Sequence, residues 1–468
     1  MNDFTALLAL ASIALFVFGL KRLSRVRTAR TGNALMAAGM LLAIVLTLIE
    51  MGLVDYRWIA IGLLVGAAIG YLTVARAQAT EMPEIVARFN GFGGASSALV
   101  AISLFWAVVV ETPGDGTAAS ALGTASAATL VLSVLIGSVT LAGSILAELK
   151  LRGTIDGTPS IPARGPVMGL VALASLVAGF VAVFGVEDPA LSSVLVLVLV
   201  AGSIVMSLAL VLPIGGADMP VVISLLNSMS GLAAAATGFA LNNALLIIAG
   251  TIVGASGLIL TQIMCVAMNR SLVNVLIGGF SGGDAEHGEY GTVIAADPES
   301  TAMVLEAAQS VIIVPGYGLA AARAQNAAYA LAQALQRQGA QVRFAIHPVA
   351  GRMPGHMNVV LAEAEVPYDM LEEMSEINAD FAETDVVIVV GANDVVNPAA
   401  RNEPNSPIAG MPILDAGNAR RVFIIKRSLS PGYAGIKNPL FEQDNAAMLY
   451  GDAKDVLEHL TNELSANA

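Results

Sequence analysis

The sequence predicts a multi-pass α-helical membrane domain followed by a soluble α/β domain built on a parallel sheet. Three observations carry that prediction. Of 468 residues, 56% are hydrophobic and 13% charged, with a mean hydropathy of +0.75, whereas an ordinary soluble chain is about 25% charged. The charge is also unevenly spread: residues 1–285 hold 13 acids and 12 bases, while the remaining 183 hold 23 acids and 11 bases and carry −12 of the net −13. Finally, apolar runs of spanning length give way, from about residue 291, to short β-branched runs separated by helical stretches. The composition is an average over two unlike parts, which excludes a plain water-soluble enzyme and a disordered chain. A soluble part this acidic also argues against nucleic acid as a partner.

A spanning helix needs roughly 20 mostly apolar residues, because lipid offers backbone amides no partners but one another. Nine stretches qualify, at about 4–20, 34–53, 58–75, 85–110, 125–147, 166–185, 190–212, 220–240 and 243–268. The fourth and fifth are long or Gly-rich enough to be broken or tilted. The first reads as a span and not as a signal peptide, since its basic residues follow the apolar run. Lys21, Arg22, Arg25, Arg27 and Arg30, then Arg76, then Lys150, Arg152 and Arg164, and finally Arg270 fall in alternate loops. The intervening loops hold Glu50, Asp55, Glu111, Asp115, Glu187 and Asp188, with Arg57 their one base. Short cytoplasmic loops collect Lys and Arg, so this alternation predicts an outside N-terminus and a cytosolic C-terminal domain. Trp58 and Trp106 fall near the expected outer interface, and Gly62, Gly66 and Gly70 on one helix face invite close approach by a neighbouring backbone.

Polar residues in the apolar part are informative because burying one in lipid costs roughly several kcal/mol. Glu81-Met82-Pro83-Glu84 leads into the fourth helix, which carries Arg88 and Asn90. Asp218 opens the eighth, and Asn227 lies nine residues on, about 13 Å deeper at the helical rise. These residues read either as an ion pathway or as snorkelling charges and interhelical hydrogen bonds. His287, His347, His356 and His459 all lie outside this part, so it has no imidazole of its own. Cys265 stands alone, which excludes an intramolecular disulfide and a thiolate metal site. The domain reading is a membrane domain over 1–269, a linker over 270–290 with Gly278, Gly279, Gly282 and Gly283 as a hinge or tether, and a soluble domain over 291–468.

In the soluble part, strands are expected at Ser310 to Val314, Gln341 to Ile346, Val386 to Val390, Arg421 to Lys426 and Met448 to Tyr450. Helices are expected over 319–338, parts of 357–381, and 453–464. Apolar strands alternating with helices imply a parallel sheet covered on both faces, with ligands at the carboxyl ends of its strands. Gly316-Tyr317-Gly318-Leu319-Ala320-Ala321 lies there, a G-x-G-x-x-A turn between strand and helix. Glycine lets the backbone approach a pyrophosphate, the helix N-terminus offers N–H groups, and Ala321 permits close helix packing. The reading is a Rossmann-like dinucleotide domain, with a tight turn in a non-binding domain as its alternative.

The second strand ends in His347-Pro348, without the acid that grips an NAD ribose, whereas Lys426-Arg427-Ser428 places two cations and a hydroxyl at a strand end. Such a cluster suits a 2′-phosphate, or else is a solvated strand end. The loop from His347 to His356 offers Arg352 to a phosphate and lacks the Cys or acid partners of a zinc site. Gly391-Ala392-Asn393-Asp394 ends the third expected strand, and Pro431-Gly432-Tyr433-Ala434-Gly435 has the make-up of a mobile lid. Structural caps and turns are the alternatives for His347 and Asp394.

Glu81-Met82-Pro83-Glu84, Gly215 to Pro220 with Asn227, Val314 to Gly318, His347 to Asn358, Gly391 to Pro398, and Lys426-Arg427-Ser428 with Gly432 to Gly435 follow one another in an order that resembles a known family. The whole chain is similar to the beta subunit of the proton-translocating nicotinamide nucleotide transhydrogenase. The resemblance implies proton-coupled hydride transfer from NADH to NADP⁺, with NADP(H) held here, NAD(H) on a separate alpha subunit, and neither flavin nor metal. It implies a dimer of alpha/beta units in the lipid of a bacterial inner membrane, and a chain that cannot react without its partner.

The resemblance also implies a reversed nucleotide orientation: Gly316 to Ala321 at the pyrophosphate, Lys426, Arg427 and Ser428 at the 2′-phosphate, Arg352 assisting at the phosphates, Asn393 and Asp394 towards the nicotinamide, and Tyr433 in a covering loop. His347, Val349, Ala350, Gly351, Met353, Gly391, Ala392, Gly432 and Asp452 complete the implied nucleotide contacts. Asn90, Asp218 and Asn227 are placed on the proton path. Some members have a histidine where this chain has Asn90, and others take the imidazole from a partner helix, which is the expectation here. The competing reading is a multi-pass transporter or channel with a cytosolic dinucleotide-sensing domain.

Overall fold

The computed structural model describes residues 3–23, 26–51, 56–111, 116–155, 157, 159, 164–278 and 290–466. Contacts divide the chain into two compact units, Met1–Ile214 with Val222–Thr261, and Gly215–Val221 with Gln262–Ala468. Gly279, Gly282 and Gly283 of the expected hinge lie outside the described residues, as do Arg25, Asp55 and Asp115. Gly278 closes a π-helical turn, Asn274–Gly278.

Nine helices among the described residues are long and apolar enough to cross a membrane, one for each stretch expected. They are α1 (Asp3–Leu23), α2 (Val26–Met51), α3 (Arg57–Ala75), α4 (Met82–Trp106), α5 (Thr124–Leu151), α6 (Arg164–Phe180), α7 (Pro189–Val211), α8 (Met219–Ala240) and α9 (Ala244–Ala267). Of the two stretches expected to be broken or tilted, α5 is one unbroken helix, and α4 passes at Ala107 into a π-helical turn, Ala107–Glu111. Their glycines are contact points: a Cβ on Gly94 would stand 2.7 Å from the Gly137 carbonyl, so α4 and α5 approach backbone to backbone. The expected close approach at α3 is not seen among the described residues. No α3 residue is buried, and Gly62, Gly66 and Gly70 have nothing within 4 Å of an added Cβ.

Buried hydroxyls and charges tie this unit together without exposing backbone. Ser133 Oγ of α5 lies 2.6 Å from Thr237 Oγ1 of α8 and 3.2 Å from the Ser97 carbonyl of α4. Arg88 reaches Glu148 on α5, its Nε 3.1 Å from each carboxylate oxygen, and Arg152 adds a second cation at 2.9 Å. At the end of α7, Lys150 donates to the carbonyls of Leu212 and Ile214, and Arg164 to those of Ala209 and Leu210 at 2.9 and 2.7 Å. These cations satisfy the terminal carbonyls that a helix leaves unpaired.

The second unit contains a six-stranded parallel sheet in the order β3-β2-β1-β4-β5-β6. The strands are β1 (Ser310–Pro315), β2 (Gln341–Ile346), β3 (Leu371–Glu373), β4 (Val386–Val390), β5 (Arg421–Lys426) and β6 (Ala446–Tyr450). Every residue of β4 is buried, as its uninterrupted apolar run predicts for a central parallel strand. The order reverses on either side of β1, which creates the crevice where doubly wound folds bind ligands. Helices α10 (Pro298–Glu306), α11 (Tyr317–Ala321), α12 (Gln325–Arg337), α13 (His356–Glu363) and α14 (Ala453–Ala466) accompany the sheet.

Two local expectations change. The short edge strand β3 is not among the five strands expected and lies between the helical parts of 357–381. The single helix expected over 319–338 is two helices, α11 and α12, separated where Arg323 adopts φ +52°. Ala324 N donates to the Leu319 carbonyl at 3.0 Å across that turn, the bond pattern with which a left-handed residue ends a helix.

Candidate functional site

The carboxyl ends of β1, β4 and β5 meet at the strand-order reversal. Gly316 N donates to the Val390 carbonyl at 2.8 Å and Gly318 N to the Gly391 carbonyl at 2.9 Å, so the loops after β1 and β4 are laced together by backbone. Gly391 has φ +63°, and a Cβ on Gly318 would lie 2.6 Å from the Gly391 Cα. Glycine is required on both loops because each occupies the space a side chain of the other would fill. Gly316 then caps α11 in an extended conformation. The helix α11 is five residues long, and its Gly318 N and Leu319 N donate to the Gly391 and Gly316 carbonyls. Ala321, expected at a close helix contact, is exposed; Leu319 and Ala320 are the buried residues of that turn.

A cleft of about 560 Å³ opens over this crossing, within the roughly 300–1,000 Å³ typical of small-molecule sites. Gly316, Tyr317, Gly318, Val349, Ala350, Gly351, Gly391, Ala392, Asn393, Asp394, Lys426, Arg427, Ser428, Gly432 and Tyr433 all line it. Pro407, Ile408 and Met411 line it too. Sequence reasoning missed that apolar wall, since an apolar loop carries no chemical signature. Ala321, His347, Arg352, Met353 and Asp452 are not among the lining residues.

The cleft's charges are Asp394 after β4, Lys426 and Arg427 at the end of β5, and Arg270. The Asp394 carboxylate is largely buried and accepts from Ala434 N at 3.0 Å; burial pushes its pKa up, opposed by that bond and by Lys426. A side chain on Gly432 would fall onto this carboxylate, so the 431–435 segment lies against it. Lys426 donates to the Ser430 carbonyl at 2.8 Å and stands 5.0 Å from the Phe441 ring. Burial pushes its ammonium down to about 8, with Asp394 opposing. Ser428 Oγ lies 2.8 Å from Ser430 Oγ, and Arg427 and Ser428 are exposed. Asn438 Nδ2 donates to the Asn393 carbonyl at 3.1 Å, fixing the turn before Asp394. Tyr433 lines the cleft and is 49% exposed.

Two expected contact residues serve the loops behind the wall. His347 is buried, its Nε2 2.8 Å from the Pro412 carbonyl and its Nδ1 3.2 Å from Val349 N. A carbonyl can only accept, so the ring proton sits on Nε2. Burial pushes this imidazole down to about 4, and the ring is neutral. Asp452 accepts from Lys454 N at 3.0 Å and caps α14. Arg352 stacks over the Tyr317 ring, its Cζ 4.3 Å from the centroid.

In the first unit, Asn90 is buried and its Nδ2 donates to the Ile223 carbonyl at 3.3 Å. Ile223 is one helical turn before Asn227, so this bond brings α4 onto the Asn227 turn of α8. In the second unit, Asp218 is fully buried and its Oδ1 lies 3.4 Å from Arg270 Nη1.

The donors present fit a phosphorylated dinucleotide. The glycine crossing would be filled by any side chain, and Lys426 and Arg427 supply positive charge at the same cleft. Residues 5–463 match the family model described as NAD(P) transhydrogenase beta subunit. A protein of Rhodospirillum rubrum called NAD(P) transhydrogenase subunit beta is 44% identical over 457 residues, covering 96% of this chain and 97% of its own length. The protein of the same name from Rhodospirillum rubrum strain ATCC 11170 matches at the same identity and coverage.

Proposed function

The chain belongs to the NAD(P) transhydrogenase beta subunit family, and on that premise we propose that it couples inward proton movement to hydride transfer from NADH on a partner alpha subunit to NADP⁺ bound here. The overall reaction is NADH + NADP⁺ + H⁺(outside) ⇌ NAD⁺ + NADPH + H⁺(inside). The observation that carries the proposal is the cleft in which the glycine crossing meets Lys426, Arg427 and Ser428. A 2′-phosphate needs cations and hydroxyls that NAD does not, and the strand end at His347 offers no acid for a ribose.

In this reading Gly316 to Gly318 hold the pyrophosphate, with Arg352 assisting. Lys426, Arg427 and Ser428 take the 2′-phosphate, and Asn393 and Asp394 face the nicotinamide under Tyr433. When bound, the dinucleotide supplies the hydride-accepting ring, and the chain's own residues bind it, orient it and exclude water. Asp218, Asn227 and Asn90 lie on the proton path, and the alpha subunit supplies the imidazole that the membrane helices lack. At ~200 mV one proton supplies ~4.6 kcal/mol, enough to displace the nucleotide ratio by roughly three decades. Proton binding must therefore change NADP(H) affinity or domain docking. The N-terminus lies outside, the C-terminal domain is cytosolic, and the complex is a dimer of alpha/beta units.

Vesicles containing this chain with its alpha partner test the proposal directly. Hydride transfer between NADH and NADP⁺ should shift the internal pH, and an uncoupler should abolish the shift while transfer continues. Hydride transfer that moves no protons in sealed vesicles would overturn it.

A further inference from the structure

His356 has no place in the proposed chemistry, yet it is fully buried directly behind the phosphate end of the cleft. Its Nδ1 accepts from Arg352 N at 3.0 Å. A backbone N–H can only donate, so Nδ1 carries no proton and the ring is held in its Nε2–H tautomer. The preceding residue, Gly351, has φ +104°, and any Cβ there would fall onto the imidazole. The ring thus occupies the hollow of the 351–356 turn and orders its backbone. On its other side, the His356 ring centroid lies 6.4 Å from that of Tyr317. Tyr317 is the ring on which the Arg352 guanidinium stacks. One imidazole therefore neighbours both members of the Arg352–Tyr317 pair, bonding the arginine's backbone and lying beside its aromatic platform.

We propose that His356 is a positioning residue for pyrophosphate binding: its neutral imidazole holds Arg352 on Tyr317 beside the glycine turn. The proposal rests on the assignment of Arg352 to the nucleotide phosphates. His356 is fully buried whereas Arg352 is partly exposed, so His356 acts through Arg352 and not on the nucleotide. Its effect is accordingly confined to ligands that carry a pyrophosphate. Adenosine 2′-monophosphate, which has the 2′-phosphate alone, is bound by Lys426, Arg427 and Ser428 and does not depend on it.

Equilibrium binding of NADP⁺ and of adenosine 2′-monophosphate to the full-length chain in complex with its alpha partner tests this. Losing one charge-assisted hydrogen bond weakens binding about tenfold or more. Arg352→Ala and His356→Ala should each weaken NADP⁺ by that factor and leave adenosine 2′-monophosphate unchanged, which also shows that the domain is folded. His356→Asn, whose Oδ1 can accept where Nδ1 did, should return NADP⁺ affinity to within about threefold of wild type. The double variant should bind no more weakly than Arg352→Ala alone, because a residue acting through another adds nothing once that residue is gone. Additive losses, equal losses of both ligands, or wild-type NADP⁺ affinity in His356→Ala alongside a weakened Arg352→Ala would overturn the role of His356. Wild-type affinity in Arg352→Ala would instead overturn the phosphate assignment beneath it.

Discussion

The proposed contact of Lys426 with the 2′-phosphate predicts a pH dependence of NADP⁺ affinity that can be worked from the lysine's surroundings. Burial lowers its ammonium from the ordinary 10.5 to about 8. A bound 2′-phosphate dianion favours the charged form and raises that value again, so above about pH 8 binding takes up a proton. Affinity therefore falls as pH rises through 8. At about pH 9 only one-tenth of the unliganded sites are charged, so affinity should be about tenfold, or ~1.4 kcal/mol, below its value at about pH 7. Lys426→Arg keeps the charge at all these pH values and should flatten the profile. Lys426→Met should be flat as well, but weak throughout, by about 1.5–3 kcal/mol for a lost charged hydrogen bond. Titration calorimetry of the intact complex with NADP⁺ at three pH values separates these outcomes. A wild-type profile that is flat between about pH 7 and 9, or a tenfold drop that survives in Lys426→Arg, would refute the assignment of Lys426 to the phosphate.

Three further outcomes are expected. His347 is held down to about 4 from 6.5, so the unfolded chain binds more protons between those values; its contribution to stability is full above 6.5 and is lost as pH falls toward 4. That gap corresponds to about 3 kcal/mol, and denaturation of the complex across this range should show a steeper loss in wild type than in His347→Asn. Gly94→Ala should lower the thermal midpoint, since its Cβ would meet the Gly137 carbonyl at 2.7 Å, whereas Gly66→Ala, with nothing within 4 Å, should leave the purified chain's midpoint unchanged; a cost of about 1–3 kcal/mol for the first is ordinary for overpacking. Asp218→Asn should impair proton-coupled turnover in vesicles more than it weakens NADP⁺ binding, and undiminished pumping would remove Asp218 from the path.

The nine spans and the central strands were legible because each is a local composition signal. A helix in lipid must be apolar along its whole length, and a strand buried on both faces must be an uninterrupted apolar run, as Val386 to Val390 is. The glycine turn after β1 and the Lys426 cluster were legible for the same reason, since their chemistry lies in neighbouring residues. The break at Arg323 was not, because it places a residue with a side chain where glycine usually signals the turn. Nor was β3, only three residues long.

What tertiary structure alone decided is which local signals are used, and by whom. Gly62, Gly66 and Gly70 have the same sequence spacing as a packing face, yet Gly94 and Gly137 form a close contact, and α3 has none among the described residues. Gly316 and Gly318 could be read as a phosphate turn, but not as half of a crossing with Gly391. Asn90 and Ile223, or His356 and the Arg352–Tyr317 pair, meet only once the helices and the sheet are assembled. A sequence determines what each segment must bury, because hydrophobic transfer and backbone hydrogen bonding act residue by residue. Which buried atom satisfies which polar group depends on distances between segments far apart in the chain, and those distances exist only in the packed fold.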